Sequence, residues 1–151
     1  MHELILMRHA QAAPAELGAE DFTRPLTAAG RRAAAQAART LAASGVQLDR
    51  VLLSPARRTR ETAAIVAGEL KLAETLLQAV PELYAASLAV IRAAIGRHHG
   101  GARSLLVVGH NPGISELARQ LSAQPATGHL PTAGLRRLPL TDAQWRQLTQ
   151  S

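Results

Sequence analysis

The chain has 151 residues, of which 47% are hydrophobic, and its formal net charge is +6 at pH 7. This length and apolar content are typical of one folded domain with a buried core, and they exclude intrinsic disorder. The lack of cysteine excludes disulfides and thiolate metal sites, and no apolar run reaches the length of a membrane-spanning helix. We therefore expect a single domain over residues 1–151, a cytoplasmic location and no contact with membranes.

A basic protein can bind nucleic acid, so the distribution of its charge matters. Here the arginines are spread over the whole chain, and only 2% of the residues are aromatic. The chain therefore has few side chains on which unpaired bases can stack. We expect no nucleic-acid partner, and we expect the protein to be a monomer.

Taken in chain order, short apolar runs alternate with longer Ala-rich segments of helical character. The apolar runs predict five strands, at residues 4–7, 51–53, 75–80, 104–108 and 135–140. The other segments predict five helices, at residues 27–44, 54–70 and 87–97, after residue 112 and after residue 141. A loop at residues 10–25 precedes the first helix.

Local capping signals mark where four of these helices begin. Thr27 can accept a hydrogen bond at the start of the first helix. The Ser-Pro pair at 54–55 and the Asn-Pro pair at 111–112 each look like an N-cap followed by proline at the first helical position. Thr141 and Gln144 have the spacing of a capping box at the start of the last helix.

Strands that alternate with helices predict a three-layer α/β/α sandwich whose sheet is mostly parallel, with residues 135–140 as an edge strand. The short connections leave no room for a cap subdomain. Ligands of such sheets bind beyond the carboxyl ends of the strands, and the segments there contain Arg8, His9, Arg58 and His110. Two of these segments lead into helix N-termini, whose free N–H groups attract anions. The sequence therefore predicts a site for a tetrahedral dianion such as phosphate.

This set of side chains suits phosphoryl transfer. Arginines neutralise the non-bridging oxygens of a phosphate, and the neutral imidazole of His9 can accept the phosphoryl group covalently. The arginines and helix N-termini are expected to lower the pKa of His9 and so keep a lone pair on its ring. They also stabilise the charge that develops on the transferred group, so we expect neither a metal nor a cofactor.

Three motifs at the strand ends resemble those of the histidine phosphatase superfamily, which is also called the phosphoglycerate mutase-like fold. These motifs are MRHA at residues 7–10, SPARRTRETA at 54–63 and VVGHNPG at 107–113. Two further segments are similar to those of SixA-type phosphohistidine phosphatases, namely RPLT at 24–27 and LPTAGL at 130–135. The resemblance covers nearly the whole chain.

The resemblance implies a role for each matching residue. His9 is expected to be the nucleophile that accepts the phosphoryl group. Arg8 and Arg58 are expected to clamp the phosphate, whereas Arg57 occupies the preceding, more variable position. His110 is expected to be the second histidine of the pocket, which forms hydrogen bonds with the phosphoryl oxygens.

The position of the general acid depends on the register after the third strand. Longer members of the family use a glutamate after the third strand, and Glu82 lies near that place, although another register puts Ala85 there instead. Glu82 is thus either a catalyst or a charge at a helix start. Gln11 stands where many relatives have an acid, and His129 could lie at the rim of the pocket. A missing acid would fit a phosphoramidate substrate, because its P–N bond is labile.

The resemblance implies that the protein hydrolyses phosphohistidine on a partner protein through a phosphohistidine intermediate at His9. An open site without a cap can admit a phosphohistidine borne by a protein. One alternative is a phosphatase for a small phosphorylated metabolite, such as a sugar phosphate. Another is a non-catalytic module that binds phosphate or a phosphoprotein, and the presence of both His9 and His110 argues against it.

Overall fold

The structure, a computed structural model, describes residues 1–123 and 128–150. Its five strands are β1 (His2–Arg8), β2 (Arg50–Leu53), β3 (Leu77–Ala79), β4 (Ser104–Gly109) and β5 (Leu135–Leu140). Its five α-helices are α1 (Ala28–Ala43), α2 (Arg57–Leu70), α3 (Leu88–His98), α4 (Gly113–Leu121) and α5 (Asp142–Thr149). Short 3-10 helices cover Asp21–Thr23, Glu74–Leu76 and Pro81–Leu83. No helix among these residues is both long enough and apolar enough to cross a bilayer.

The strands form one sheet in the order β3-β2-β4-β1-β5. The first four strands in this order run parallel, and β5 pairs with β1 in the antiparallel sense at one edge. The predicted mostly parallel sheet with an edge strand at residues 135–140 is thus confirmed. In the described part of the chain, each step between parallel strands contains a single α-helix, so no cap subdomain is inserted.

Successive side chains of the strands point to opposite faces of the sheet and enter separate apolar clusters. On β1, Leu4 and Leu6 pack with α3, α4 and α5, whereas Ile5 and Met7 pack with α1 and α2. Apart from residues at their ends, the side chains of the central strands β2, β4 and β1 are almost completely buried on both faces, whereas the edge strands β3 and β5 are partly exposed. Both faces of the sheet are therefore covered by helices, which confirms the predicted three-layer sandwich.

Two of the four predicted caps are present. The Thr27 side chain accepts a hydrogen bond from the Gly30 amide at the start of α1. Thr141 and Gln144 form the complete capping box of α5. Both signals are local in the sequence. Thr141 is exposed, and the hydroxyl of the half-buried Thr27 accepts from Gly30 while it donates to the Gln11 side chain.

The other two cap predictions are wrong. Helix α2 begins at Arg57 and α4 begins at Gly113, and neither helix has a side-chain cap. The buried Ser54 hydroxyl lies 2.8 Å from the His110 ring instead, and the Asn111 amide donates to the Leu130 carbonyl. Ser54 and Asn111 therefore form tertiary hydrogen bonds in place of the helix caps that the local pattern predicted.

Residues 9–49, between β1 and β2, form the longest step between two parallel strands. Its first part folds back on itself, because Ala12 pairs with Leu26 in a β-bridge. The Gln11 carbonyl approaches Gly30 so closely that a Cβ at residue 30 would collide with it. This glycine therefore allows the loop to lie against the start of α1, and the loop continues toward the carboxyl ends of the strands.

Candidate active site

The register of the sheet brings the ends of β1, β2 and β4 together. Arg8 lies opposite Gly109, and the His9 amide donates to the Gly109 carbonyl at 3.1 Å. The Ser54 amide donates to the Val108 carbonyl at 3.2 Å. The next residue along each of β1 and β4 is a histidine, and the ring centroids of His9 and His110 lie 5.3 Å apart.

A hydrogen bond fixes the tautomer of His9. Its Nδ1 lies 2.7 Å from the Ala10 carbonyl oxygen. Because a carbonyl oxygen can only accept, Nδ1 carries the proton, and Nε2 keeps the lone pair. The nucleophilic atom of His9 is therefore Nε2.

The Thr62 side chain connects the residue after His9 to helix α2. Its hydroxyl oxygen accepts from the Ala10 amide at 3.0 Å, and its hydroxyl donates to the Arg58 carbonyl at 2.8 Å. Thr62 is fully buried and follows Arg58 by one helical turn. Ala10, whose carbonyl orients the His9 ring, and the helix that carries Arg58 are thus joined through one side chain.

The surroundings of His9 favour its neutral form. Burial lowers its pKa to about 4, and the charges of Arg58, Arg8 and Arg24 act in the same direction, while the hydrogen bond to Ala10 opposes them. The direction agrees with the sequence-based prediction, but burial contributes more than the arginines. The imidazole is therefore neutral near pH 7 and its lone pair is free to attack.

Two guanidinium groups offer unpaired donors at this place. Within the described residues, the buried Nε atoms of Arg8 and Arg58 have no hydrogen-bond acceptor. The Arg8 Nη1 donates to the Leu130 carbonyl at 3.3 Å, and the Arg58 side chain is only 8% exposed. Buried donors normally find an acceptor, so two unpaired guanidinium N–H groups indicate a place for an anion.

His110 is held between Arg58 and Ser54. The Arg58 Nη2 lies 3.3 Å from Nδ1 of the ring, and the Ser54 hydroxyl lies 2.8 Å from Nε2. A guanidinium only donates, so Nδ1 accepts and Nε2 donates to Ser54 in this arrangement. Burial, followed by the charge of Arg58, lowers the pKa of His110 to about 3.

This arrangement bears on the predicted contact between His110 and the phosphoryl oxygens. If a phosphoryl oxygen displaces the contact between the Arg58 Nη2 and Nδ1, the proton of His110 can move to Nδ1, and the Ser54 hydroxyl can then donate to Nε2. A hydroxyl serves as either donor or acceptor, so Ser54 is compatible with both tautomers. The role of His110 as a donor to the phosphoryl group stays a prediction.

Sequence reasoning missed two further residues, Asp21 and Tyr84, that contact residues of the pocket. The Asp21 carboxylate accepts from the Arg58 Nη2 at 3.1 Å and from the Tyr84 hydroxyl at 2.6 Å. The Tyr84 ring lies edge-on to His110 with a centroid distance of 5.6 Å, and Phe22 lies edge-on to Tyr84. The only sequence signal was that Phe22 and Tyr84 are two of three aromatic residues in the chain. Nothing in the loop pattern singles out Asp21.

Glu82 is not among the groups that contact these residues. Its carboxylate lies 3.0 Å from the Arg97 Nη2 and 3.5 Å from the His98 Nε2, both on α3. A hydrogen bond from its own backbone amide and another from Arg97 lower the pKa of Glu82. A carboxylate that is paired and deprotonated is poorly suited to donate a proton. Its role as a general acid stays a prediction, and the contacts described here do not favour it.

The remaining candidates lie outside this constellation. Arg57 is exposed, and its Nε lies 3.3 Å from the Glu61 carboxylate one turn further along α2. The Gln11 side chain accepts from the Thr27 hydroxyl at 2.8 Å, and His129 is exposed. No group of three or more His, Asp or Glu side chains within residues 1–123 and 128–150 is arranged to hold a metal ion.

Comparison with known proteins identifies relatives of this chain. An uncharacterized chloroplastic protein of Arabidopsis thaliana is 31% identical over 129 residues, which cover 79% of this chain and 58% of the plant protein. The chain thus spans less than two thirds of that relative. An uncharacterized protein of Mycobacterium tuberculosis strain H37Rv is 36% identical over 125 residues, which cover 80% of this chain and 73% of that protein.

A solved structure extends the likeness to three dimensions. The protein histidine phosphatase SixA, complexed with tungstate, superposes with a TM-score of 0.80 at 27% identity, covering 94% of this chain and 90% of the other. Residues 4–85, which contain most of β1 and all of α1, β2, α2 and β3, match the histidine phosphatase superfamily (branch 1). The predicted resemblance to SixA-type proteins is therefore confirmed, and the chain belongs to the histidine phosphatase superfamily.

Proposed function

We propose that this protein is a phosphatase that hydrolyses phosphohistidine on a partner protein through a covalent phosphohistidine at His9. The observation that carries the proposal is a neutral His9, with its lone pair on Nε2, beside two buried guanidinium groups whose Nε donors have no acceptor. Residues 1–151 would form the single domain that performs this reaction. The coarser conclusion, a phosphatase of the histidine phosphatase superfamily, follows from the family match and the likeness to SixA.

The first chemical step transfers the phosphoryl group to the enzyme. Solvent protonates the free ring nitrogen of the substrate phosphohistidine. Nε2 of His9 attacks phosphorus, the P–N bond of the substrate breaks, and the electron pair of that bond returns to the substrate ring, which leaves as neutral imidazole. Arg8 and Arg58 donate hydrogen bonds to the phosphoryl oxygens and stabilise the charge that develops on them. The Ala10 carbonyl holds the Nδ1 proton, so the ring keeps its orientation while Nε2 bonds to phosphorus.

The second step returns the enzyme to its starting state. Water attacks phosphorus, the P–Nε2 bond breaks, and the electron pair of that bond returns to His9 Nε2. The protons of the water stay on the product phosphate, which exchanges them with solvent. Inorganic phosphate then leaves the pocket. Thr62 keeps the nucleophile loop and Arg58 in register through both steps, because it is hydrogen-bonded to both segments.

Two observations favour phosphohistidine over an alkyl phosphoester. Glu82, the only acid proposed from the sequence, is paired with α3, and a phosphoramidate depends less on a dedicated acid than an alkyl ester does. The described connections also contain no helical cap that would restrict entry to small molecules. The tungstate complex of SixA supports a tetrahedral oxyanion as the ligand of this pocket.

The test compares kcat/KM on a phosphohistidine protein, a phosphohistidine peptide and sugar phosphates. We expect the phosphohistidine substrates to be preferred, and rapid quenching at alkaline pH should trap a phosphate on His9. His9→Gln should remove both turnover and the trapped intermediate while the fold stays intact. A clear preference for sugar phosphates would replace the proposed substrate, and a label on another residue would refute the mechanism.

A further inference from the structure

We propose that Asp21 is a positioning residue that orients Arg58 and offsets its charge, so that the pocket releases inorganic phosphate after each turnover. The inference depends on the proposed function only in one respect, namely that the pocket receives a phosphoryl group. It assigns no contact between Asp21 and the reacting atoms.

The contacts with Arg58 are the first line of support. The Asp21 backbone carbonyl accepts from Nη1 at 2.9 Å, and its carboxylate accepts from Nη2 at 3.1 Å. Two acceptors on one side of a planar guanidinium fix its orientation. The Nε donor of Arg58 is left without an acceptor in the described structure, so the side chain keeps a donor for a ligand.

The carboxylate of Asp21 is itself held in place. The Tyr84 hydroxyl donates to Oδ2 at 2.6 Å, and the Arg24 Nη1 donates to Oδ1 at 2.9 Å. The hydrogen bond from Tyr84 and the one from Arg24 lower the pKa of Asp21 well below its usual range. Asp21 therefore stays ionised over the working pH range, which suits a fixed negative charge and does not suit a general acid.

The charges around the pocket explain why a fixed carboxylate at Asp21 would help product phosphate to leave. The charges of Arg58, Arg8 and Arg24 all lower the pKa of His9, so the site that binds the phosphoryl group experiences the field of three cations. Such a site also binds the product, a phosphate dianion, and slow release of product limits turnover in many enzymes. A carboxylate hydrogen-bonded to Arg58 repels the product dianion and reduces the net positive charge, which weakens the binding of phosphate.

The decisive variant is Asp21→Asn, which is nearly isosteric and removes the charge. We expect inorganic phosphate to bind this variant about tenfold more tightly, as measured by calorimetry and by the inhibition constant of phosphate. The effect is no larger because half of the Asp21 side chain is exposed and solvent screens its charge. We expect kcat to fall on the order of tenfold, because Arg58 loses a fixed partner and product leaves more slowly.

Three further variants separate charge from position. Glu20→Gln removes an equal charge from the neighbouring residue of the same loop, and both quantities should stay within about twofold of the wild type. Tyr84→Phe keeps the charge of Asp21 and removes its hydrogen bond, so kcat should fall while phosphate affinity is unchanged. Asp21→Glu keeps the charge and shifts the carboxylate, and it should likewise lower kcat without tightening phosphate binding.

The outcomes distinguish two roles of Asp21: a charge that weakens phosphate binding, or a purely structural contact. Lower kcat together with weaker phosphate binding in Asp21→Asn would show only a structural role and would overturn the proposal, as would no change in either quantity. Phosphate affinity is measured without any substrate, and kcat is measured on whichever phosphorylated compound the enzyme turns over. A failure of phosphohistidine hydrolysis therefore leaves this test intact.

Discussion

His9 is expected to stay neutral, with its proton on Nδ1, at pH values where an ordinary histidine is charged. The perturbation is a change of pH from 7 to 4. The pKa of about 4 lies well below the ordinary value of 6.5. At pH 5 the ring should therefore be neutral by about ten to one, whereas an unshifted histidine would be charged by about thirty to one.

The same shift makes the stability of the fold depend on pH. The folded pKa is below the unfolded one, so between pH 6.5 and pH 4 the unfolded chain binds a proton that the folded chain does not. The free energy of unfolding is therefore undiminished above about pH 6.5 and falls as the pH decreases toward 4, by about 3 kcal/mol for His9. His110, whose pKa is lowered to about 3, acts in the same direction.

The assay is two-bond 1H–15N NMR on protein with labelled histidines, because the 15N shifts report both the charge and the tautomer of each ring. His9→Gln assigns the signal and should reduce the loss of unfolding free energy between pH 6.5 and pH 4, measured by urea denaturation at each pH. A His9 midpoint near 6.5, or a proton on Nε2 at neutral pH, would refute the reasoning from burial and from the Ala10 carbonyl.

The remaining predictions concern the clamps, the acid and metals. Arg8→Ala and Arg58→Ala should each lower kcat/KM by the equivalent of about 3 kcal/mol of transition-state stabilisation. The exposed Arg57→Ala should change kcat/KM less than about twofold, and the reverse order would mean that the wrong arginine of α2 is assigned. Glu82→Gln should leave kcat/KM within about twofold of the wild type on both phosphohistidine and an alkyl phosphoester, because the Glu82 carboxylate pairs with α3. A loss of about 10²-fold or more on the ester alone would make Glu82 a general acid. Activity should survive EDTA, and a loss that Mg²⁺ or Zn²⁺ restores would contradict the assignment of charge stabilisation to arginines.

The sequence predicted the layers of the fold because their signals are local. Alternating apolar residues in β1 and β4 distribute side chains to both faces of the sheet, and the same segments define where the strands end. Once the strand ends are known, a parallel sheet places His9 and His110 at the same edge. That β1 and β4 are neighbours, which brings the two rings close together, was not predicted from the sequence. The cap at Thr27 was predictable for the same reason, since its partner lies three residues away.

The parts that could not be predicted depend on contacts between distant segments. Ser54 has the local signature of a cap, but its hydroxyl pairs with a histidine 56 residues later. Asp21 reaches Arg58 only because the loop after β1 folds back over the strand ends, and Tyr84 meets Asp21 across 63 residues. No periodicity or spacing in a single sequence encodes these pairings.

The separation of the apolar interior into two clusters has a consequence for cooperativity. Arg58 belongs to a helix that packs on one face of the sheet, while His110 leads into a helix that packs on the other. An oxyanion that engages both side chains would add a second link to the contact between Arg58 and His110, which already joins the two layers beyond the sheet. Binding of such a ligand should therefore slow amide hydrogen exchange in α2 and in α4 alike, so that local opening of either layer becomes coupled to release of the ligand.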